Sequence, residues 1–303
     1  MIEIINPLKG NFEILETPIK NCWINVIMPT QDELEKLKSI VQVPEEVLLS
    51  LQDKEEMPTI EEQNKHIFIL LRTPNKNSEL RYTTVPLGII LTQEYLITIC
   101  FHKSDVMDKL KLHMSDFSKE DLVLRLMLMS SKVYLNYLVE INNTIDHIES
   151  QIYKSQKNRE ITKLLGLEQS LVYFTTSLES NKILLNKVAN SRIFKKSSGS
   201  KELIANIEDE TSQAIEMSKI YTNILSNLMD AFASLISNNL NIVMKLLTSI
   251  TIIISVPMLI ASFYGMNVEL PFQRHPFAFT LVLGMSIIFA LMFLFYFYKN
   301  DLI

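Results

Sequence analysis

The chain has 303 residues, with 29 Lys and Arg against 34 Asp and Glu, a formal net charge of −5, and two cysteines. That balance provides no basic surface for nucleic acid, and two cysteines this far apart, Cys22 and Cys100, read as reduced, buried thiols rather than a disulfide framework. A mean hydropathy of +0.16 in a chain with 21 % charged residues implies that polar and apolar mass are segregated along it.

The N-terminus, Met1-Ile2-Glu3-Ile4-Ile5-Asn6-Pro7, lacks the basic and apolar regions of a signal peptide, so residues 1–118 read as a cytosolic α/β domain. Cys22 to Met28 is a short apolar run with the only tryptophan, Trp23. Thr30 and Glu33 have capping-box spacing and predict a helix start. A second short helix is expected near Pro44, as a first-turn residue. His66–Arg72, Val85–Thr92 and Tyr95–Phe101 read as strands, the last two joined at Gln93-Glu94 as a hairpin, and Asn75–Glu79 as a polar loop. Residues 119–201 read as a helical hairpin of the cytosolic domain: apolar residues from Leu124 to Ile152 recur at period 3.6, Lys157-Asn158-Arg159 breaks the run, and a second helix covers about Glu160 to Ala189. Phe194 to Lys201 is a loop by composition, its basic residues solvated.

After that loop no Gly or Pro occurs until Pro257, which permits one helix from about Glu202 to Phe263, about 90 Å long. Residues 202–264 are thus a stalk followed by a first membrane span, Ile242–Tyr264; 265–275 form an outer loop; Pro276–Tyr298 is a second span; 299–303 form a cytosolic tail. Each apolar run has 23 residues, enough for a hydrocarbon core of about 30 Å. Two crossings place both termini in the cytosol, and the aromatic cluster Phe293–Tyr298 followed by Lys299 fits the inner face of a cell membrane. Pro257 leaves the Ile253 carbonyl without its helical donor, so a bend there would alter which outer residues share a face.

The stalk carries a polar stripe. Alternating steps of four and three give Asn223, Asn227, Asp230, Ser234, Ser237, Asn241, Met244, Thr248, Thr251, Ser255, Met258 and Ser262, ten polar and two methionine. Leu240, Val243, Leu247, Ile250 and Ile254 lie beside it. Small hydroxyl residues at any one position fit ordinary membrane-helix packing. The stripe as a whole continues from polar stalk into apolar span, and a polar face at membrane depth is tolerated where it lines water. One helix encloses no water, so the stripe predicts several copies around an axis, a symmetric homo-oligomer with a central pore. Its hydroxyls, amides and the single acid Asp230 are oxygen ligands, which suit hard, hydrated divalent cations.

No enzyme is expected. The five histidines show no ligand spacing, no nucleotide-binding motif is present, and six glycines build few phosphate loops. A membrane-anchored sensor that transports nothing is the other reading, and it needs no polar stripe.

Tyr264-Gly265-Met266-Asn267, at the end of the first span and before a short loop containing Glu269, resembles the signature of the CorA family of magnesium transport proteins, as does Asn241-Ile242-Val243-Met244-Lys245-Leu246-Leu247-Thr248. The resemblance implies an α+β membrane protein: a homopentameric funnel of cytosolic domains with a pore made by the first span. It implies Mg2+ as cargo and as a regulator, with Co2+ and Ni2+ as further passengers, no nucleotide, and Zn2+ transport as the nearest alternative. Asn267 would hold hydrated Mg2+ at the outer mouth, Gly265 would allow a tight turn and Met266 would pack it. Asp230, Asn241, Met244 and Leu247 match family pore positions, Met244 and Leu247 as a hydrophobic gate. Glu208-Asp209-Glu210 lies near the stalk region where relatives bind regulatory ions, and as a solvated charge run it needs no function.

Overall fold

The computed structural model describes residues 1–6, 13–41, 43–63, 66–77, 81–111, 118–152, 158–194, 200–268, 276–300 and 302. Two compact units result, Met1–Leu228 and Met229–Ile303.

In the first unit seven strands form one mixed sheet: β1 (Ile2–Asn6), β2 (Glu13–Leu15), β3 (Trp23–Ile27), β4 (Thr59–Gln63), β5 (His66–Lys76), β6 (Tyr82–Leu91) and β7 (Leu96–Cys100), in the order β2-β1-β3-β7-β6-β5-β4. Among the described residues only β3 and β7 pair in parallel, Trp23 opposite Leu96. Between β3 and β4 lie α1 (Gln31–Ile40) and α2 (Glu45–Ser50); after β7 come α3 (Asp105–Lys111), α4 (Lys119–Ile152) and α5 (Asn158–Asn190). Thr30 caps α1: the Glu33 N–H donates to the Thr30 hydroxyl at 3.4 Å and the Thr30 N–H to the Glu33 carboxylate at 2.9 Å, the expected box. Pro44 precedes α2 as its cap, not within its first turn, and its carbonyl accepts from Val47 at 3.2 Å.

Strand alternation divides the core in two. Ile67, Ile69 and Leu71 of β5, with Val85, Leu87 and Ile89 of β6, face α3, α4, α5 and Ile207. Phe68, Leu70, Ile90, Ile97 and Ile99 face α1 and α2. Cys100 belongs to the first cluster and Cys22 to the second, so the sheet separates two free, buried thiols, as expected.

Two expectations are corrected. β1, β2, β4 and α3 were not foreseen, being short. Asn75 and Lys76 are strand, not loop: β5 continues to Lys76, paired with Tyr82. β4 ends at Thr59 opposite Leu70. Beyond it β5 has an open side, where Pro74 removes no ladder bond. There Asn181 of α5 takes the place of a strand: its Oδ1 accepts the Arg72 N–H at 3.1 Å and its Nδ2 donates to the Arg72 carbonyl at 2.7 Å.

Among the described residues, three helices are long and apolar enough to cross a membrane: α4, α6 (Ser200–Tyr264) and α7 (Ala278–Lys299). They differ in what covers them. The apolar window of α4 is 61 % buried within the protein, that of α6 and of α7 only 6 %. α4 therefore spends its apolar face on the sheet, while α6 and α7 keep theirs for another environment.

Candidate functional site: the open face of α6

α6 runs unbroken for 65 residues from Ser200, close to the expected start, to Tyr264. The rise of an α-helix makes it about 98 Å long. Pro257 sits inside it without ending it, half-buried. At about 100° per residue Pro257 lies on the side opposite Thr248, Ser255 and Ser262, so it does not intrude on the stripe.

All twelve stripe positions, from Asn223 and Asn227 through Asp230, Ser234, Ser237, Asn241, Met244, Thr248, Thr251, Ser255 and Met258 to Ser262, are exposed in the protomer. Met244 and Leu247, the expected gate pair, are 56 % and 58 % exposed. The covered line in the apolar run is a different face: Ser249 is buried and Ile252, Ile253, Val256 and Ile260 are half-buried. Ser249 was not foreseen, because one off-stripe serine in an apolar run carries no signal; its hydroxyl donates to the Leu302 carbonyl at 3.4 Å. The chain's own packing seam is thus mostly aliphatic and about a third of a turn from the stripe.

The stripe hydroxyls have a definite polarity. Thr251 donates to the Leu247 carbonyl and Ser255 to the Thr251 carbonyl, both at 2.7 Å, and Ser234 to the Asp230 carbonyl at 3.1 Å. With the proton turned back to the helix, each oxygen presents lone pairs outward. Such a surface accepts hydrogen bonds from the waters of a hydrated cation.

At the helix end the Gly265 N–H donates to Ala261 and Ser262 carbonyls at 3.0 and 3.2 Å, and the Met266 N–H to Phe263 at 3.2 Å. A Cβ added at Gly265 would meet those same two carbonyl oxygens at 3.5 Å, ordinary contact, and its φ is not in the left-handed region. The expected need of this turn for glycine is therefore not found within one protomer. Met266 is exposed, not packed, and Asn267 is exposed beside it. Glu269 lies outside the described residues.

Glu208 and Asp209 are exposed and Glu210 half-buried, three consecutive residues within one turn of α6. Their side chains point about 100° apart, so they do not converge on one ion. Among the described residues no three His, Cys, Asp or Glu side chains form a cluster able to hold a metal ion.

Residues 20–299 match the family described as CorA-like Mg2+ transporter protein. A cobalt/magnesium transport protein CorA from Methanocaldococcus jannaschii is 27 % identical over 289 residues, covering 92 % of this chain and 90 % of that protein. One from Thermotoga maritima is 24 % identical over 290 residues, covering 92 % and 82 %. The complete structure of the CorA magnesium transporter from M. jannaschii superposes with a TM-score of 0.85 at 26 % identity over 100 % of this chain and 99 % of that one. A soluble α/β unit, a long helix and two apolar C-terminal helices, matched over nearly the whole chain, make this protein a member of the CorA-like Mg2+ transporter family.

Proposed function

We propose that this chain forms a homopentameric channel that admits Mg2+, and with it Co2+ and Ni2+, through a pore lined by α6. The observation that carries this reading is the openness of the polar stripe: all twelve of its positions are exposed, and the line that the chain covers, Ser249, Ile252, Ile253 and Val256, lies on another face. A bare polar face in a bilayer is costly against lipid and tolerable against water. Copies around an axis convert one stripe into a closed lining. Asp230 would concentrate divalent cations at one end, Asn241 and the hydroxyls would carry the hydrated ion through its own waters, and Met244 with Leu247 would form the narrow apolar stretch. Asn267 would complete an outer ring of amide oxygens. Both termini lie in the cytosol, and the membrane potential drives entry, worth about 4.6 kcal/mol per 100 mV for a doubly charged ion. Falling internal Mg2+ opens the pore by releasing ions held between neighbouring protomers.

The test is flux of Mg2+, Co2+, Ni2+ and Zn2+ into liposomes that contain only this protein, beside Asn267→Ala. Potential-driven Mg2+ entry, lost in Asn267→Ala while the oligomer stays assembled, is expected. Zn2+ flux without Mg2+ flux assigns a zinc carrier instead, and no flux of any ion leaves a membrane-anchored sensor.

A further inference from the structure

α2 covers its part of the sheet incompletely. It is only six residues long, Glu45–Ser50. Leu51, just past its end, leans onto Gly88 of β6, where a Cβ would lie 2.5 Å from Leu51 Cδ1. Leu51 can lie that close only because Gly88 has no side chain. Between α2 and the edge strand β4 a cavity of about 150 Å3 remains. Its floor is hydrocarbon: Phe68 and Leu70 of β5 and Ile90 of β6, all buried. Val47 and Leu51 form the apolar part of the α2 wall.

The β4 wall is polar. Paired residues of neighbouring strands share a face of the sheet. Thr59 lies opposite Leu70 and Glu61 opposite Phe68, so both stand on the cavity side, while Ile60 packs against the core on the other face. From α2, Glu46 and Ser50 also line the cavity. Among the described residues no Lys, Arg or His lines it, and neither the Glu46 nor the Glu61 carboxylate has a hydrogen-bond or ion-pair partner. The cleft therefore joins a hydrocarbon floor to negative charge that comes from two separate elements and has no counter-charge of its own. An anion is repelled there. A divalent cation finds carbon where it needs a shell of oxygens, and among the described residues no three His, Cys, Asp or Glu side chains converge to hold one. An ammonium group on a small hydrocarbon body fits both parts: the body covers Phe68 and Leu70, and the N–H groups donate to the carboxylates and to the Ser50 and Thr59 hydroxyls. Its size is set by the cavity, since an apolar cavity of about 150 Å3 holds a benzene ring.

We propose that the α2–β4 cleft is a binding site for a small organic ammonium ion, a primary amine carried on one ring or a short alkyl chain. The site lies wholly within the first unit, Met1–Leu228, and the proposal does not rest on the conducting function above.

The test uses the full chain in detergent and two probes of one shape, benzylammonium and the uncharged benzyl alcohol, titrated at pH 7 by ligand-observed NMR. Benzylammonium is expected to bind about tenfold more tightly than the alcohol, the worth of one charge-assisted hydrogen bond. Glu46→Gln with Glu61→Gln is expected to make the two nearly equal. Val47→Phe fills the cleft and is expected to remove binding of both, beyond what detergent alone takes up. Thermal unfolding checks that each variant is folded, and Ser50→Phe fills the cleft from the same helix if Val47→Phe does not fold. Equal affinity for the two probes in the native chain overturns the proposal, as does binding that survives in a folded, filled variant. Displacement of benzylammonium by Mg2+, at an ionic strength where NaCl leaves it bound, makes the carboxylates a metal site and also overturns it. Absence of ion flux in liposomes, with the probe preference intact, removes the transport reading and leaves this site standing.

Discussion

Gly88 in β6 shows what one missing side chain does. A Cβ there would lie 2.5 Å from Leu51 Cδ1, 2.8 Å from Cδ2 and 3.1 Å from Cγ. Leu51 is itself 1 % exposed, so it has little room to yield. Gly88→Ala is expected to destabilise by about 1–3 kcal/mol, the usual cost of overpacking. Gly88→Ala with Leu51→Ala should lose less than the two single changes added, a coupling that thermal unfolding of the purified chain measures. Glu3 supplies a pH-dependent contribution. Burial raises its carboxyl, but the Lys111 ammonium and the Asn25 amide outweigh burial and hold it below the ordinary value. A lowered folded-state pKa means stability present above the unfolded-state value, about 4.3 for glutamate, and lost as pH falls through the folded one. Glu3→Gln should therefore show a shallower loss of Tm on acidification below about pH 4.5 than the native chain. The capping box at Thr30 was legible because both partners lie within three residues. The Asn181–Arg72 pair was not, because 109 residues separate them.

At the scale of elements, α6 decides the site. Its stripe is a local property, fixed by spacing on one helix, and so it was legible. Which face its own chain would cover was not, since that depends on where α7 and Leu302 return. The two faces make opposite predictions. Single cysteines at Asn241, Met244, Thr248 and Thr251 should react with a small water-soluble thiol reagent in membranes, and cysteines at Ile252, Ile253 and Val256 should not. Cys22 and Cys100 give no background, because burial pushes the Cys100 thiol up to about 11 and raises that of Cys22. Equal labelling of both faces would remove the water-lined axis. The extension of β5 through Pro74 to Lys76 has a similar cause: proline and asparagine read locally as a loop, and the open side beyond β4 removes the objection to them.

For the molecule as a whole, hydropathy alone names three helices, and burial separates them into one core helix and two that need another environment. The proposed pentamer and its proposed gate belong to this scale, as contacts between copies. Glu208, Asp209 and Glu210 diverge on one helix, so a regulatory ion there requires carboxylates from a neighbouring protomer. Neutralising all three to Gln, Asn and Gln is expected to raise the internal Mg2+ concentration that halves the current. Liposome currents at graded internal Mg2+ measure it, and an unshifted midpoint reduces the cluster to a solvated helix face.

The sequence by itself determined the segregation of polar and apolar mass, the single long helix between Lys201 and Pro257, the stripe along it and the Gly265-Met266-Asn267 signature, because each rests on neighbours along the chain or on a helical repeat. The tertiary structure decided the rest. It showed what covers the apolar face of α4, a helix that the sequence already placed in the cytosolic domain, because only packing tells what such a face meets. It joined β3 to β7 in parallel and placed Asn181 on the open side of β5, contacts whose partners are distant in sequence. It also left the α6 stripe bare while covering Ser249 and partly covering Ile252, Ile253 and Val256 on another face, since which side of a helix is buried depends on what folds back against it.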